Sequence, residues 1–64
     1  MKIMRIKTGY KAWYQAQYPN FSIVFGDGET AIFGEIYLIE GKPYRRTEYP
    51  VSVSIPVRFL EPAE

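Results

Sequence analysis

The 64-residue chain contains neither cysteine nor histidine. Without cysteine there is no disulfide to staple a small core, no thiolate nucleophile, and no sign of an oxidising compartment. Without histidine the usual general base at neutral pH is missing, and the two absences together exclude every standard zinc site. Ser22, Ser52 and Ser54 offer hydroxyls but no residue stands out as their activating base, so the expectation is a non-catalytic protein with no cofactor. No apolar run approaches the roughly 20 residues of a membrane-spanning helix. The N-terminal Met1-Lys2-Ile3-Met4-Arg5 has no apolar stretch long enough for a signal peptide. A cytoplasmic protein with no membrane partner is expected.

What is present is 47% hydrophobic, 17% aromatic and 23% charged, too apolar for intrinsic disorder. A chain this short buries only about 60% of the surface its unfolded form exposes, which leaves room for a single domain over residues 1–64 and no second core. Aromatic packing must carry the stability, and self-association as a homo-oligomer is expected to relieve the shortage of core. Not all of Tyr10, Trp13, Phe33, Tyr37 and Tyr49 fit inside such a core, so some are expected to be exposed or covered by a partner.

Period-two alternation and β-branched or aromatic residues run throughout, and this predicts an all-β fold. Strands are expected at 2–7, 11–18, 21–26, 29–39, 44–49 and 51–60, with Pro19, Pro43, Pro50 and Pro62 at the joins and Glu61-Pro62-Ala63-Glu64 as a frayed tail. Five or six short antiparallel strands in one domain suggest a small barrel, OB-like or SH3-like. Asp27-Gly28 has the residues of a type I′ turn, which would pair Phe25 with Thr30 and Ile23 with Ile32. That register turns Phe21, Ile23, Phe25, Ile32, Ile36 and Leu38 to the core, and Ser22, Phe33, Glu35 and Tyr37 away from it. Asp27 and Glu29 supply far fewer oxygens than the six to eight calcium takes, so no metal is expected. In the C-terminal strand Val51, Val53, Ile55, Val57 and Phe59 alternate inward, and Pro56 marks an edge, a bulge or a corner.

The first hairpin admits two registers. A two-residue turn at Thr8-Gly9 puts the apolar sets of its strands on opposite faces, whereas a three-residue turn pairs Met4 with Tyr14 and Ile6 with Ala12, both inside. The consistent register buries Tyr14. Its outward face then carries Ile3, Arg5, Lys7, Lys11, Trp13, Gln15 and Gln17, with Arg5 opposite Trp13 and no acid between them.

Charge is segregated along the chain despite a net of only +1. Lys2, Arg5, Lys7 and Lys11 precede residue 26 with no acid, Asp27, Glu29, Glu35 and Glu40 follow with no base, and residues 41–60 hold Lys42, Arg45, Arg46, Glu48 and Arg58. Segregated charge either makes a basic face for polyanions or lets neighbouring strands attract. Small β-barrels bind single-stranded nucleic acid with aromatic platforms and a basic groove. Trp13 with Arg5, Lys7 and Lys11 is one candidate face, and Lys42, Tyr44, Arg45 and Arg46 form a second. Arg45 and Arg46 point to opposite faces of a regular strand, and a structural account pairs one of them with Glu35, Glu40 or Glu48.

Gly41-Lys42-Pro43-Tyr44 with Glu48 resembles a turn in the single-stranded-DNA-binding proteins of filamentous phages, which are OB-like barrels. The likeness is confined to this turn, which lies near the N-terminus in that family and two-thirds along the chain here, so the strand order would not correspond. The expected function is single-stranded DNA or RNA binding, in preference to duplex. The alternative is a small protein–protein interaction module, an inhibitor or assembly subunit, docking through the same aromatic and charged surface.

Overall fold

A computed structural model describes residues 2–49 and 51–63, with the side chain of Tyr49 outside the description. Pro50, expected at a strand join, Glu64 of the expected tail and the ring of Tyr49 lie outside the described residues. The chain is mostly β: β1 (Lys2–Ile6), α1 (Tyr10–Gln17), β2 (Thr30–Ile39), β3 (Lys42–Tyr49), β4 (Ser54–Pro56), a 3-10 turn (Val57–Phe59) and β5 (Leu60–Pro62). The strands form one antiparallel sheet in the order β4-β3-β2-β1-β5. Its hydrogen bonding is open, with β4 and β5 at the edges, instead of closing into a barrel ring.

The strand expected at 11–18 is a helix. Tyr10, Trp13 and Tyr14 stand at i, i+3 and i+4, which gathers three rings on one face, while Ala12, Gln15, Ala16 and Gln17 are good helix formers and are exposed. The alternation of Ala12, Tyr14, Ala16 and Tyr18 concealed that spacing. Eight residues are too few for a helix to stand alone in water, so the ring contacts and an unusual cap must hold it. Gly9 occupies the N-cap with φ 106° and has no side chain to offer. The missing acceptor comes from Asp27, whose carboxylate takes the backbone N–H of Gly9 at 3.1 Å and of Lys11 at 2.9 Å. The helix stops at Tyr18, before Pro19.

Asp27 is therefore a cap delivered from a distant loop, and the hairpin expected around it does not form. Residues 21–26 make no strand. Instead Gly28, at φ 84°, donates to the carbonyl of Ile6 at 2.7 Å, and Ile6 donates to the carbonyl of Glu29 at 2.8 Å, which docks the loop on β1 and starts β2. The two-residue hairpin turn of this molecule is Glu40-Gly41, where both φ angles are positive, 51° and 78°. Glycine takes that conformation freely, but in a glutamate it costs about 1–2 kcal/mol.

Losing the early hairpin inverts the expected faces at the start of β2, while Glu35, expected outward, is exposed. Register sets Lys2 against Phe33 and Met4 against Ala31, so Phe33 falls on the side of Met4 and Ile6. Phe33 is 0% exposed, at the centre of a core of Met4, Ile6, Tyr10, Ile55 and Leu60. Of the set expected inside, Ile32, Ile36, Leu38 and Phe21 are exposed, while Ile23 and Phe25 are half-buried against the core. Pairing shifts on either side of Phe33, and these bulges change which residues face the core along β2. Of the surplus aromatics, Tyr10 joins Phe33 inside, while Trp13 and Tyr37 are half-buried and Tyr18 and Phe21 exposed.

The expected C-terminal strand is three elements. Thr47, buried on β3, donates its hydroxyl to the carbonyl of Val51 and accepts the N–H of Val53 at 2.7 Å, which organises the run into β4. Of the expected inward set, Ile55 is buried, Val53, Val57 and Phe59 are half-buried, and Val51 is exposed. Pro56 sits on the edge strand, as the missing N–H requires. The expected frayed tail is ordered through Ala63: Leu60 is buried, Glu61 and Pro62 pair with β1 as β5, and Ala63 donates to Ile3 at 3.2 Å.

Candidate nucleic-acid interface

The helix, the tip of the β2–β3 hairpin and the 3-10 turn meet around a cleft of about 180 Å³. Each element brings its own chemistry. α1 contributes Trp13, the residue after it contributes Tyr18, the hairpin contributes Glu40, Lys42 and Tyr44, and the 3-10 turn contributes Arg58. Trp13 is packed from below by Phe59 at 5.3 Å and Tyr10 at 6.0 Å between ring centroids. Tyr18 stands almost perpendicular to it, at 84° and 6.2 Å. The two rings form a corner in which a third planar ring can stack on one and meet the other edge-on. The Arg58 guanidinium lies 5.3 Å from the centre of the indole and 4.7 Å from that of Phe59, a cation held against two rings.

Tyr10 anchors this group. It is 1% exposed and touches Trp13, Tyr14 and Phe59. Burial, and then the neighbouring Tyr14 and Tyr18, push its hydroxyl pKa up to about 12. At the same end of α1 the backbone N–H of Lys11, and after it that of Gly9, hold the Asp27 carboxyl below its ordinary value of 3.8.

Of the eight candidate residues, Trp13, Lys42 and Tyr44 converge on this cleft. The others stand elsewhere. Arg5 does not face Trp13: it pairs across β1 and β5 with Glu61 at 4.0 Å and donates to the carbonyl of Ala63 at 3.1 Å. The face expected to be free of acid thus carries one. Lys7 and Lys11 are exposed just before and on α1. Arg45 donates to the carbonyl of Gly34, and Arg46 to the hydroxyl of Ser52. Arg46 lines a second, wider cleft of about 580 Å³ with Glu35, Tyr37, Glu48, Ser52 and Ser54, where two carboxylates accompany the one cation. Neither arginine has a glutamate partner; Arg5–Glu61 is the one ion pair among the described residues. Trp13 and Tyr14, expected to divide between surface and core, are both half-buried, because a helix turns them to neighbouring directions.

Sequence reasoning missed Arg58, Tyr18 and Glu40. Arg58 counts in the sequence only as one charge of a basic stretch, and the 3-10 turn that swings it over Trp13 has no motif. Glu40-Gly41 was legible in principle, since glycine following a polar residue between two strands is a two-residue hairpin signal. Among the described residues no group of three or more acidic side chains could hold a metal ion, and no helix is long and apolar enough to cross a membrane. No protein-family model, no curated protein and no solved structure matches the chain.

Proposed function

We propose that this is a non-catalytic module that binds single-stranded nucleic acid in the Trp13 cleft. The observation that carries the proposal is the convergence of Trp13, Tyr18 and Tyr44 with Lys42 and Arg58 on one concave site from three separate elements. Stacking on such rings is worth about 1–3 kcal/mol per base and needs an unpaired base, which favours single strands over duplex. The cleft is smaller than the roughly 300 Å³ at which drug-sized pockets begin, so it suits one planar ring at a time. Lys42 stands beside the rings to meet a flanking phosphate, and Arg58, which covers the indole, would yield that face to the base and turn to a second phosphate. We also read the sheet as SH3-like: four strands in sequence, with the fifth returning beside β1 after a 3-10 turn.

Fluorescence anisotropy with a labelled single-stranded oligonucleotide at several salt concentrations tests this. Two phosphate contacts predict a log-log salt slope of about −1.4, from about −0.7 per contact. Lys42→Ala should halve the slope. Trp13→Phe, which keeps a ring against Tyr10 and Phe59, should weaken binding and leave the slope unchanged, because stacking releases no counterions. Absence of binding at low salt removes the proposal.

A second reading has its own observation. Phe21 and Leu38 are each 68% exposed, and Ile3, Ile32, Ile36 and Ile39 are exposed as well, a large apolar surface for so small a chain. Docking of a protein partner, or of a second copy, would cover it. Sedimentation velocity over a concentration series tests the second copy, and a constant monomer mass up to about 100 μM excludes an obligate dimer.

A further inference from the structure

Glu40 bears two penalties that its position does not explain. Its backbone is left-handed, at φ 51°, at a turn position where asparagine, aspartate or glycine would rest more easily. Its carboxylate also lines the same cleft as Lys42 and Arg58, where a negative charge opposes the approach of phosphate. It does not serve as a counter-ion, since it forms no ion pair with either cation among the described residues. A residue strained in its backbone and unfavourable in its charge, at the mouth of a site, points to a use in binding.

We infer that Glu40 makes the cleft selective for guanine, an inference that rests on the nucleic-acid reading above. A carboxylate is acceptor-only, with two oxygens able to receive two parallel donors. Among the unpaired bases only guanine presents such a pair, N1–H beside the N2 amino group. Adenine and cytosine each offer one amino group beside an acceptor nitrogen, and thymine and uracil offer one N–H flanked by carbonyls. The corner of Trp13 and Tyr18 would set the plane of a stacked base, and Glu40, from the hairpin tip, lines the same cleft and can meet that base's Watson–Crick edge within it. The carboxylate that repels phosphate in general thus becomes favourable for one base. Lys42 and Arg58 remain for the backbone.

The test uses oligothymidylate carrying a single central guanine, adenine or cytosine, titrated against the whole protein. The guanine strand should bind about tenfold more tightly than the all-thymine strand, in line with one bidentate contact. Adenine and cytosine should fall between them. Glu40→Gln, which keeps the turn and puts an N–H donor where guanine needs a second acceptor, should lose the guanine preference, any residual preference moving to adenine or cytosine, whose donor and acceptor an amide can match. Glu40→Gly should melt no lower than the parent, because the left-handed turn is relieved, and should be equally unselective. Equal affinity for all four strands in the parent overturns the inference while leaving the nucleic-acid reading intact. A guanine preference that survives in both variants also overturns it. If no strand binds, the nucleic-acid reading fails and this inference falls with it.

Discussion

The β2–β3 hairpin is held by its backbone, in a ladder running from Ile39 opposite Lys42 to Ile32 opposite Tyr49. Most of the stretch from Gly9 to Glu29 makes no ladder at all. It is held by rings, with Tyr10, Trp13, Tyr14, Tyr18 and Phe59 in successive contact, and by one carboxylate at the head of α1. A ladder tolerates many side chains at exposed positions, which is how Ile36 and Leu38 can face solvent without unmaking β2. A ring-held segment depends on particular residues. The candidate cleft lies where the two regions meet, so its shape rests on the more easily disturbed of them.

The largest effect should come from Phe33→Ala, which removes the ring on which both regions rest. Loss of about 3–5 kcal/mol is expected, comparable with the whole stability of a domain this size, and denaturant unfolding measures it. Thr47→Val should cost about 1 kcal/mol, because the N–H of half-buried Val53 and the carbonyl of Val51 lose the hydroxyl they share on buried Thr47. This change strikes the ladder side, and the near-ultraviolet signal of the aromatic group should persist until global unfolding.

Asp27→Ala should strike the other side alone, lowering the helical signal in circular dichroism at neutral pH while the sheet signal remains. The same cap gives a pH dependence. With the carboxyl held below 3.8 in the fold, its contribution is present above that value and is lost as pH falls through the lower folded value. Acid titration of the parent should therefore show helix loss below pH 3.8 that the alanine variant lacks. The smallest change at neutral pH belongs to Tyr10→Phe. Because the folded hydroxyl titrates near 12 and the unfolded one near 10.0, stability should be intact below pH 10.0 and fall as pH rises towards 12. Phenylalanine at this position should remove that part of the alkaline loss.

The two regions also differ in how far their residues announced them. β1, β2 and β3 were legible from alternation and β-branching, and Pro56 pointed to an edge, a bulge or a corner, of which the fold takes the edge. Strand parity sends Arg45 and Arg46 to opposite faces, and they take separate partners, the carbonyl of Gly34 and the hydroxyl of Ser52. The segment 10–29 was not legible in the same way, since Tyr10, Trp13, Tyr14 and Tyr18 satisfy helical spacing while Ala12, Tyr14, Ala16 and Tyr18 satisfy strand spacing. The deciding group, Asp27, acts on Gly9 and Lys11 from 16 to 18 residues away, beyond the reach of any local pattern. With a helix at 10–17 there is no hairpin at Asp27-Gly28, the faces at the start of β2 invert, and Arg5 has no Trp13 opposite it. Lys42, Tyr44 and Trp13 were found by residue type, and only the fold could bring them to one cleft with Arg58.

Trp13 is the only tryptophan in the chain, so the intrinsic fluorescence of the protein reports on the cleft directly. Titration of the parent with an unlabelled single-stranded oligonucleotide at low salt should change that emission saturably as a base stacks in the corner with Tyr18. The change should reverse on raising the salt and be much weaker with the matching duplex. An emission that does not respond to single strands, while they bind by anisotropy, would place the site away from Trp13 and contradict the account.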